Sequence, residues 1–224
     1  MSAAATPPPD GAGGIFAGSL FMMESAVVDQ NRDDDDRPAL RSRNALAAAY
    51  LNSGKVTAAV PLLKTALVDA RRLLGPTDPD TLIVEGNLAA AYVMADQSDT
   101  GIDLMTRNVE LREQVLGRDH PATLTASDAL ATAQRLLGRF REAADRHADV
   151  VERRTRVLGP GHPDVLASQA GLALTKADAA DLAGAADLLS DAVGTAERLL
   201  GRPHKLAVTL RGHLAECLID LGRV

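Results

Sequence analysis

LGRDHPATL, at residues 116–124, is the stretch that decides the fold, because related stretches recur at a constant spacing. They are LGPTDPDTL at 74–82, LGPGHPDVL at 158–166 and the shorter LGRPH at 200–204. Each begins 42 residues after the one before it. A fixed period of this size is typical of stacked structural units and not of a single globular core.

Each recurring stretch has the features of a boundary between two helices. Its glycine suits the position just after a helix C-terminus, and its proline suits the first position of the next helix. The period therefore predicts two helices in each unit. First helices are expected at 38–52, 80–95, 121–137, 163–179 and 205–221, and second helices at 55–74, 99–116, 140–158 and 182–200.

The composition agrees with an all-α fold. Apolar residues make up 46% of the chain, aromatic residues only 2%, and Trp is absent. Most of the apolar residues are Ala, Leu and Val, and Ala and Leu are strong helix formers. We therefore expect a core of closely packed helices.

Small and large apolar residues also recur with the period. A small residue near the start of each second helix would let the paired helices approach closely, and a leucine–alanine pair in each first helix would fill the layer beside it. The small residues are Ala59, Gly101, Ala143 and Ala185; the leucines are Leu46, Leu88, Leu130, Leu172 and Leu214; the alanines are Ala47, Ala89, Ala131, Ala173 and Ala215. Replacing any of these leucines with Asp is expected to cost several kcal/mol, because it would bury an unpaired charge.

Three segments are predicted along the chain. Residues 1–15, rich in Pro and Gly, are expected to form a disordered tail. Residues 16–36 are expected to form a helix followed by an acidic loop. That helix is either the second helix of an incomplete repeat, since Leu20 and Phe21 lie 42 residues before Leu62 and Leu63, or an unrelated helix. Residues 37–224 are expected to form about four repeats and a final unpaired helix.

The charge distribution argues against nucleic acid as a partner. Residues 1–36 contain seven acids and one base, so the rest of the chain holds 23 acids and 23 bases. A neutral array gives no electrostatic attraction to nucleic acid or anionic lipid. The apolar stretch at 14–23 is too short to span a membrane. The single Cys217 fits a reducing cytoplasm, and the excess of Arg over Lys resembles GC-rich bacterial coding.

These motifs resemble the tetratricopeptide repeat in the longer form found in kinesin light chains. The matching pattern is L-G-x-x-H-P-x-T-L, with NLAAAY at 87–92 and GRFREA at 138–143. The resemblance covers about residues 38–222. It implies an α-solenoid, a right-handed superhelix of antiparallel helix pairs with a concave groove, and a protein-binding role. It does not imply association with a motor, because bacterial proteins use the same repeat.

The resemblance also indicates which first-helix residues face the groove. Their mostly apolar character with scattered charge suits an amphipathic helix. In some family members a Lys, Asn and Arg set on successive first helices grips a terminal carboxylate; here only Asn87 matches in kind, so such a clamp is not expected. The projected residues are Arg41, Ile83, Asn87, Ala90, Val93, Met94, Thr125, Asp128, Arg135, Leu136, Leu174 and Asp178.

No catalytic motif, phosphate loop or cofactor motif is present in the sequence. The periodic His120, His162 and His204 lie about one repeat apart, too far to share a metal ion, so each is expected to form hydrogen bonds near a helix terminus. Cys217 is expected to be a packing residue. The basic residues Arg153, Arg154 and Arg156 are expected on a solvated face; the alternative is a contact with an acidic partner.

The sequence therefore favours a non-catalytic scaffold that binds a partner protein or peptide, without metal or cofactor. An alternative is the sensor segment of a larger bacterial signalling or transcription regulator. The last first helix has apolar residues on more than one side, which also predicts self-association through it.

Overall fold

The structure is a computed structural model that describes residues 37–223, and all the regular elements within that range are helices. The predictions for residues 1–15 and 16–36 lie outside the described residues. Every helix begins and ends within one residue of the bounds expected from the period. The helices are α1 (Arg37–Asn52), α2 (Val56–Leu73), α3 (Pro79–Met94), α4 (Ser98–Leu116), α5 (Pro121–Leu136), α6 (Phe140–Leu158), α7 (Pro163–Asp178), α8 (Leu182–Leu200) and α9 (Lys205–Asp220).

The recurring stretch forms the helix boundary that its residues predict. Gly159 and Gly201 follow α6 and α8 with φ of 86° and 88°, a left-handed conformation that favours glycine. Pro121 and Pro163 then occupy the first position of the next helix. This glycine–proline order explains why the period fixes the helix ends so closely.

The described residues fall into two compact units, 37–111 and 112–223, with the boundary inside α4. In the first unit, α1 packs on α2 and α2 on α3, while α1 also lies beside α3. Its core combines Ala47 and Leu51 of α1, Ala59 and Leu63 of α2, and Leu88 of α3. Consecutive helices therefore form pairs, and successive first helices contact each other.

The second unit repeats this arrangement. Helices α5 to α9 pack consecutively, and the first helices α5, α7 and α9 contact their neighbours side by side. One core cluster joins Leu166 and Ala173 of α7, Ala185 and Leu189 of α8, and Leu210 of α9. The thiol of Cys217 also lies in this cluster, so the prediction that it is a packing residue is confirmed.

The recurring small residues lie where the paired helices approach most closely. Ala59, Ala143 and Ala185 are fully buried. A Cβ atom added to Gly101 would lie 2.8 Å from the carbonyl oxygen of Ala89. The paired helices α3 and α4 are therefore too close at this point for any side chain on residue 101.

Two members of the recurring leucine–alanine set are exposed, and two more, Leu172 and Leu214, are only half-buried. Leu46 is 47% exposed, so the prediction that every recurring leucine is buried is wrong at this residue. Leu88 is covered by the preceding pair α1 and α2, whereas no described helix precedes α1. Ala215 is exposed, although its four counterparts are buried, because no second helix follows α9 in the described residues.

Candidate partner-binding surface

In the first unit, the predicted polar groove residues are engaged by neighbouring first helices. The guanidinium of Arg41, in α1, donates to the Asp80 carboxylate of α3 at 3.2 Å. The side-chain nitrogen of Asn87 donates to Oδ1 of Asn44 at 2.9 Å, and Asn87 is buried. The side-chain amide of Asn87, predicted to face the groove, therefore already has one partner within the chain.

The predicted apolar residues of the first unit are mainly packing residues. Ala90 is buried, and Ile83, Val93 and Met94 are half-buried. Val93 lies toward Gly101 on the neighbouring α4, and Met94 packs against the core of the unit. These side chains leave only part of their apolar surface for a partner.

In the second unit, α5 and α7 present a mixed surface at the ends of the two helices. Nη1 of Arg135 lies 2.5 Å from Oδ2 of Asp178, which joins the two first helices. Leu136 is exposed beside Arg135, and Leu174 is half-buried on α7. This group combines an ion pair with accessible apolar area.

Thr125 and Asp128, also predicted for the groove, belong to a polar network around Arg154 of α6. Nη1 of Arg154 donates to Oδ2 of Asp128 at 3.1 Å and to Oγ of Ser168 at 2.5 Å. Nη2 donates to Oγ1 of Thr125 at 3.1 Å. A single buried guanidinium thus connects α5, α6 and α7.

His147 completes this network from the second helix. Its Nδ1 lies 2.9 Å from Oδ1 of Asp128. Burial alone would raise the pKa of Asp128, but His147, Arg154 and Ser168 together lower that pKa below its ordinary value. Asp128 is therefore held as a carboxylate within the network.

The Asp128–His147 pair resembles an acid–base dyad but cannot reach a substrate. The imidazole is fully buried, and no hydrogen-bond partner for Nε2 occurs among the described residues. A Cβ added to Gly171 would come within 2.9 Å of the ring, so α7 closes over it. Since general acid–base catalysis requires contact with the reacting group, this arrangement supports packing and not catalysis.

Sequence reasoning missed this network because its members come from different positions in different repeats. One signal was present: His147 occupies the repeat position of Leu63 and Leu189, which are buried leucines. A polar residue at such a position requires a buried partner. Gly171, which lies at the repeat position of Asn87, provides the space for the ring.

The basic cluster is only partly solvated. The prediction of a solvated face is wrong for Arg154, which is buried in the network because its guanidinium has partners on the two neighbouring helices α5 and α7. Arg153 and Arg156 both lie 3.0 Å from the Asp119 carboxylate, and Arg153 also pairs with Asp149 at 2.7 Å. Asp119 and Asp149 therefore already neutralise the arginine charges that an acidic partner protein would bind.

Each periodic histidine accepts a hydrogen bond from the backbone of the helix that follows it. Nδ1 of His120, His162 and His204 accepts the N–H two residues later at 3.2, 3.1 and 3.2 Å. The expected hydrogen bond at a helix terminus is therefore confirmed, with Asp78 in the same role before α3. In the described part of the chain, no cluster of three or more potential ligands could hold a metal ion.

Two further features are the buried thiol of Cys217 and the limited hydrophobicity of the described helices. Burial, helped by the charge of Asp220, raises the pKa of the Cys217 thiol, whose Sγ donates to the carbonyl of Leu182 at 3.2 Å. A thiol of this kind is poorly reactive. Among the described helices, none is both long and apolar enough to cross a bilayer.

Solved structures share this helix arrangement. A Podosopora anserina protein assigned as a kinesin light chain with nearly identical TPR-like repeats is 28% identical, with a TM-score of 0.72 over 83% of this chain and 88% of that chain. A variant of it is 27% identical, with a TM-score of 0.73 over 85% and 90% of the two chains. BtubC (BKLC) from P. vanneervenii, 16% identical, has a TM-score of 0.69 over 95% and 84%, which shows the shared fold alone. The predicted class, an all-α solenoid, is therefore confirmed.

A sequence comparison gives the family directly. The model of the tetratricopeptide repeat matches residues 38–100 and 85–156, which together span more than half of the chain. No curated protein matches the chain in the corresponding search. Tetratricopeptide arrays typically serve as protein-interaction scaffolds and are generally non-catalytic. The chain belongs to the tetratricopeptide repeat family, in its kinesin-light-chain-like form.

Proposed function

We propose that the chain is a non-catalytic scaffold that binds a partner protein, as a helix or a peptide, on the face formed by its first helices. The observation that carries this proposal is the set of polar bonds between neighbouring first helices. In the first unit Asn44 bonds to Asn87, and in the second unit Arg135 pairs with Asp178. These bonds fix the surface before a partner arrives, which lowers the entropic cost of binding.

The second unit offers the more accessible part of this surface. An amphipathic helix could place apolar side chains against Leu136 and Leu174. Its polar side chains would then meet the Arg135–Asp178 pair at the rim, where Asp178 is exposed. Such a mixed surface favours a partner with one apolar face over a highly charged tail.

A cytoplasmic location is part of the proposal. Cys217 is the only cysteine in the sequence, and its thiol is free. A chain that folds without disulfides is suited to a reducing compartment.

The proposal is tested by selecting peptides from a displayed random library against the full chain. The selected peptides are then titrated against the wild type, Met94→Glu, Arg135→Glu and Leu136→Glu. We expect at least one variant to weaken binding about tenfold or more, because a few buried contacts dominate such interfaces.

Val157→Glu is the matched control, since Val157 is an exposed apolar residue on the second helix α6. It should bind like the wild type. Circular dichroism establishes that each variant is folded. Equal binding by all three folded groove variants, or loss of binding only in Val157→Glu, contradicts the proposal.

A further inference from the structure

One face of α9 carries apolar residues that lie open to solvent. Val208 is 49% exposed and Ile219 is 62% exposed, and Ala215 between them is also exposed. Spacings of seven and four residues place all three on one side of a helix. A Cβ added to Gly212, on the same side, would meet no atom within 4 Å. We call these four residues the α9 stripe.

Two of these repeat positions are buried in every other first helix. Val208 corresponds to Leu40, Leu82, Leu124 and Leu166, all buried, and Ala215 corresponds to four alanines that are 0% exposed. Ile219 corresponds to Leu51, which packs with Ala59 and Leu63 of the following second helix, and to Val93, Arg135 and Ala177, which are half-buried. The Val208 and Ala215 positions of the α9 stripe are therefore positions that neighbouring helices cover elsewhere.

The turn after α9 has the same backbone conformation as the turn that precedes the second helix α2. The N–H of Arg223 donates to the carbonyl of Leu218 at 3.0 Å, and Gly222 has a φ of 65°. The same bond links Lys55 to Tyr50 before α2 at 2.8 Å. Residues 205–223 thus form the first half of a repeat, and no described helix supplies its second half.

The sequence of residues 16–31 has the residue pattern of a second helix. Moved forward by 42 residues, Ala17, Leu20 and Phe21 coincide with Ala59, Leu62 and Leu63 of α2. Of these α2 residues, Ala59 and Leu63 are fully buried. The small residues Gly212 and Ala215 would leave room on the α9 stripe for bulky side chains such as Phe21.

We propose that residues 16–31 of a second copy of this chain bind the α9 stripe and complete its repeat. The cross-linking experiment below separates this contact between copies from a contact within one chain. The contact joins two different surfaces, so it can add further copies head to tail.

The first test measures the mass of the full chain by light scattering over a series of concentrations. We expect the mass to rise above that of one chain as concentration increases. Ala215→Arg, Ile219→Arg and Phe21→Asp should each return the mass to one chain. Thr209→Arg, at an exposed position of α9 outside the stripe, should associate like the wild type.

Two results would overturn the proposal. One is a wild type that stays monomeric at the highest attainable concentration. The other is association that is lost in Ile219→Arg but kept in Phe21→Asp, which would mean that α9 pairs with something other than residues 16–31. Circular dichroism identifies any variant that has lost its helices, and the remaining variants then decide.

A cross-linking experiment separates contact between copies from contact within one chain. One chain carries Leu20→Cys, the other carries Ala215→Cys, and both carry Cys217→Ala. We expect a bismaleimide to give a cross-linked dimer only when the two chains are mixed. A chain carrying all three changes should give oligomers; a cross-linked product that remains a monomer would show contact within one chain and overturn the proposal.

Discussion

At the scale of single residues, the turns inside the repeats depend on left-handed backbone conformations. Glycine supplies this conformation at residues 54, 138 and 222, with φ between 65° and 75°. Asp96 and Ala180 supply it in the other two turns, with φ of 59° and 67°. A residue with a Cβ atom pays about 1–2 kcal/mol for this conformation, and Asp pays less than Ala.

Ala180→Gly should therefore stabilise the protein. We expect the free energy of unfolding to rise by about 1 kcal/mol in urea denaturation, since the steric cost at φ 67° disappears. Asp96→Gly should give a smaller gain. Gly138→Ala is the reverse control and should lower the free energy by a similar amount; a loss of stability in Ala180→Gly would contradict this account.

The histidine caps allow a second test on single residues. His162 accepts the N–H of Asp164 at the start of α7, and Asp78 makes the same bond before α3. His162→Ala should lower the free energy of unfolding by about 1 kcal/mol, because an N–H at the helix start loses its acceptor. His162→Asn should retain most of the stability. Equal losses in both variants would show that the cap bond contributes nothing.

At the scale of helices, the approach of α3 and α4 is limited by Gly101. Ala normally stabilises a helix interior by up to about 1 kcal/mol over Gly. A Cβ on residue 101 would, however, meet Val93 Cγ2 at 2.5 Å and the Ala89 carbonyl oxygen at 2.8 Å. Overpacking of this kind costs about 1–3 kcal/mol, so we expect Gly101→Ala to lower the free energy of unfolding.

Gly194→Ala is the matched control for Gly101→Ala. Residue 194 lies inside α8, and an added Cβ would meet no atom within 4 Å. Here only the gain in helix propensity applies, so the free energy of unfolding should rise by about 0.5–1 kcal/mol. Thermal unfolding of the two variants compares them directly. If both changes stabilise the protein, the close approach of α3 and α4 is not a constraint.

The network around Arg154 should make stability depend on pH. The pKa of Asp128 is lowered in the folded protein, so its contribution is complete above the unfolded value of about 3.9 and is lost as pH falls through the lowered pKa. Asp128→Asn should cost about 2–4 kcal/mol at neutral pH, because the buried Arg154 charge loses its carboxylate.

The measurement is the free energy of unfolding of the wild type and Asp128→Asn as a function of pH. The difference between the two proteins should shrink as pH falls below about 4. Asp145→Asn, at an exposed position of α6, should change stability by less than about 0.5 kcal/mol. A difference between wild type and Asp128→Asn that does not vary with pH would contradict the role assigned to the carboxylate.

At the scale of the whole molecule, the helix positions follow from the sequence because local residues determine them. The glycine and proline of each recurring stretch end one helix and begin the next, whatever the rest of the chain does. The exposure of Leu46 could not be predicted in this way, since it depends on whether another helix pair precedes α1. The period treats all repeats alike and therefore does not predict which of the recurring leucines is exposed.

The candidate surface was less predictable for a related reason. Thr125 and Asp128 were assigned to the groove from their repeat positions. Their main partner is Arg154, and the residue at the equivalent position of the next repeat, in α8, is an alanine. Such a network depends on the side chains that meet across three helices. Repeat spacing predicts which helix carries a residue, whereas its partners depend on the individual sequence of each repeat.

The first helices are the proposed partner-binding elements, and amide hydrogen exchange tests this proposal most directly. A library-selected peptide is added to the full chain, and exchange is compared with and without it. We predict slower exchange in α5 and α7, where Arg135, Leu136 and Leu174 lie, and unchanged exchange in α6 and α8. Protection confined to α6 and α8 would contradict the account.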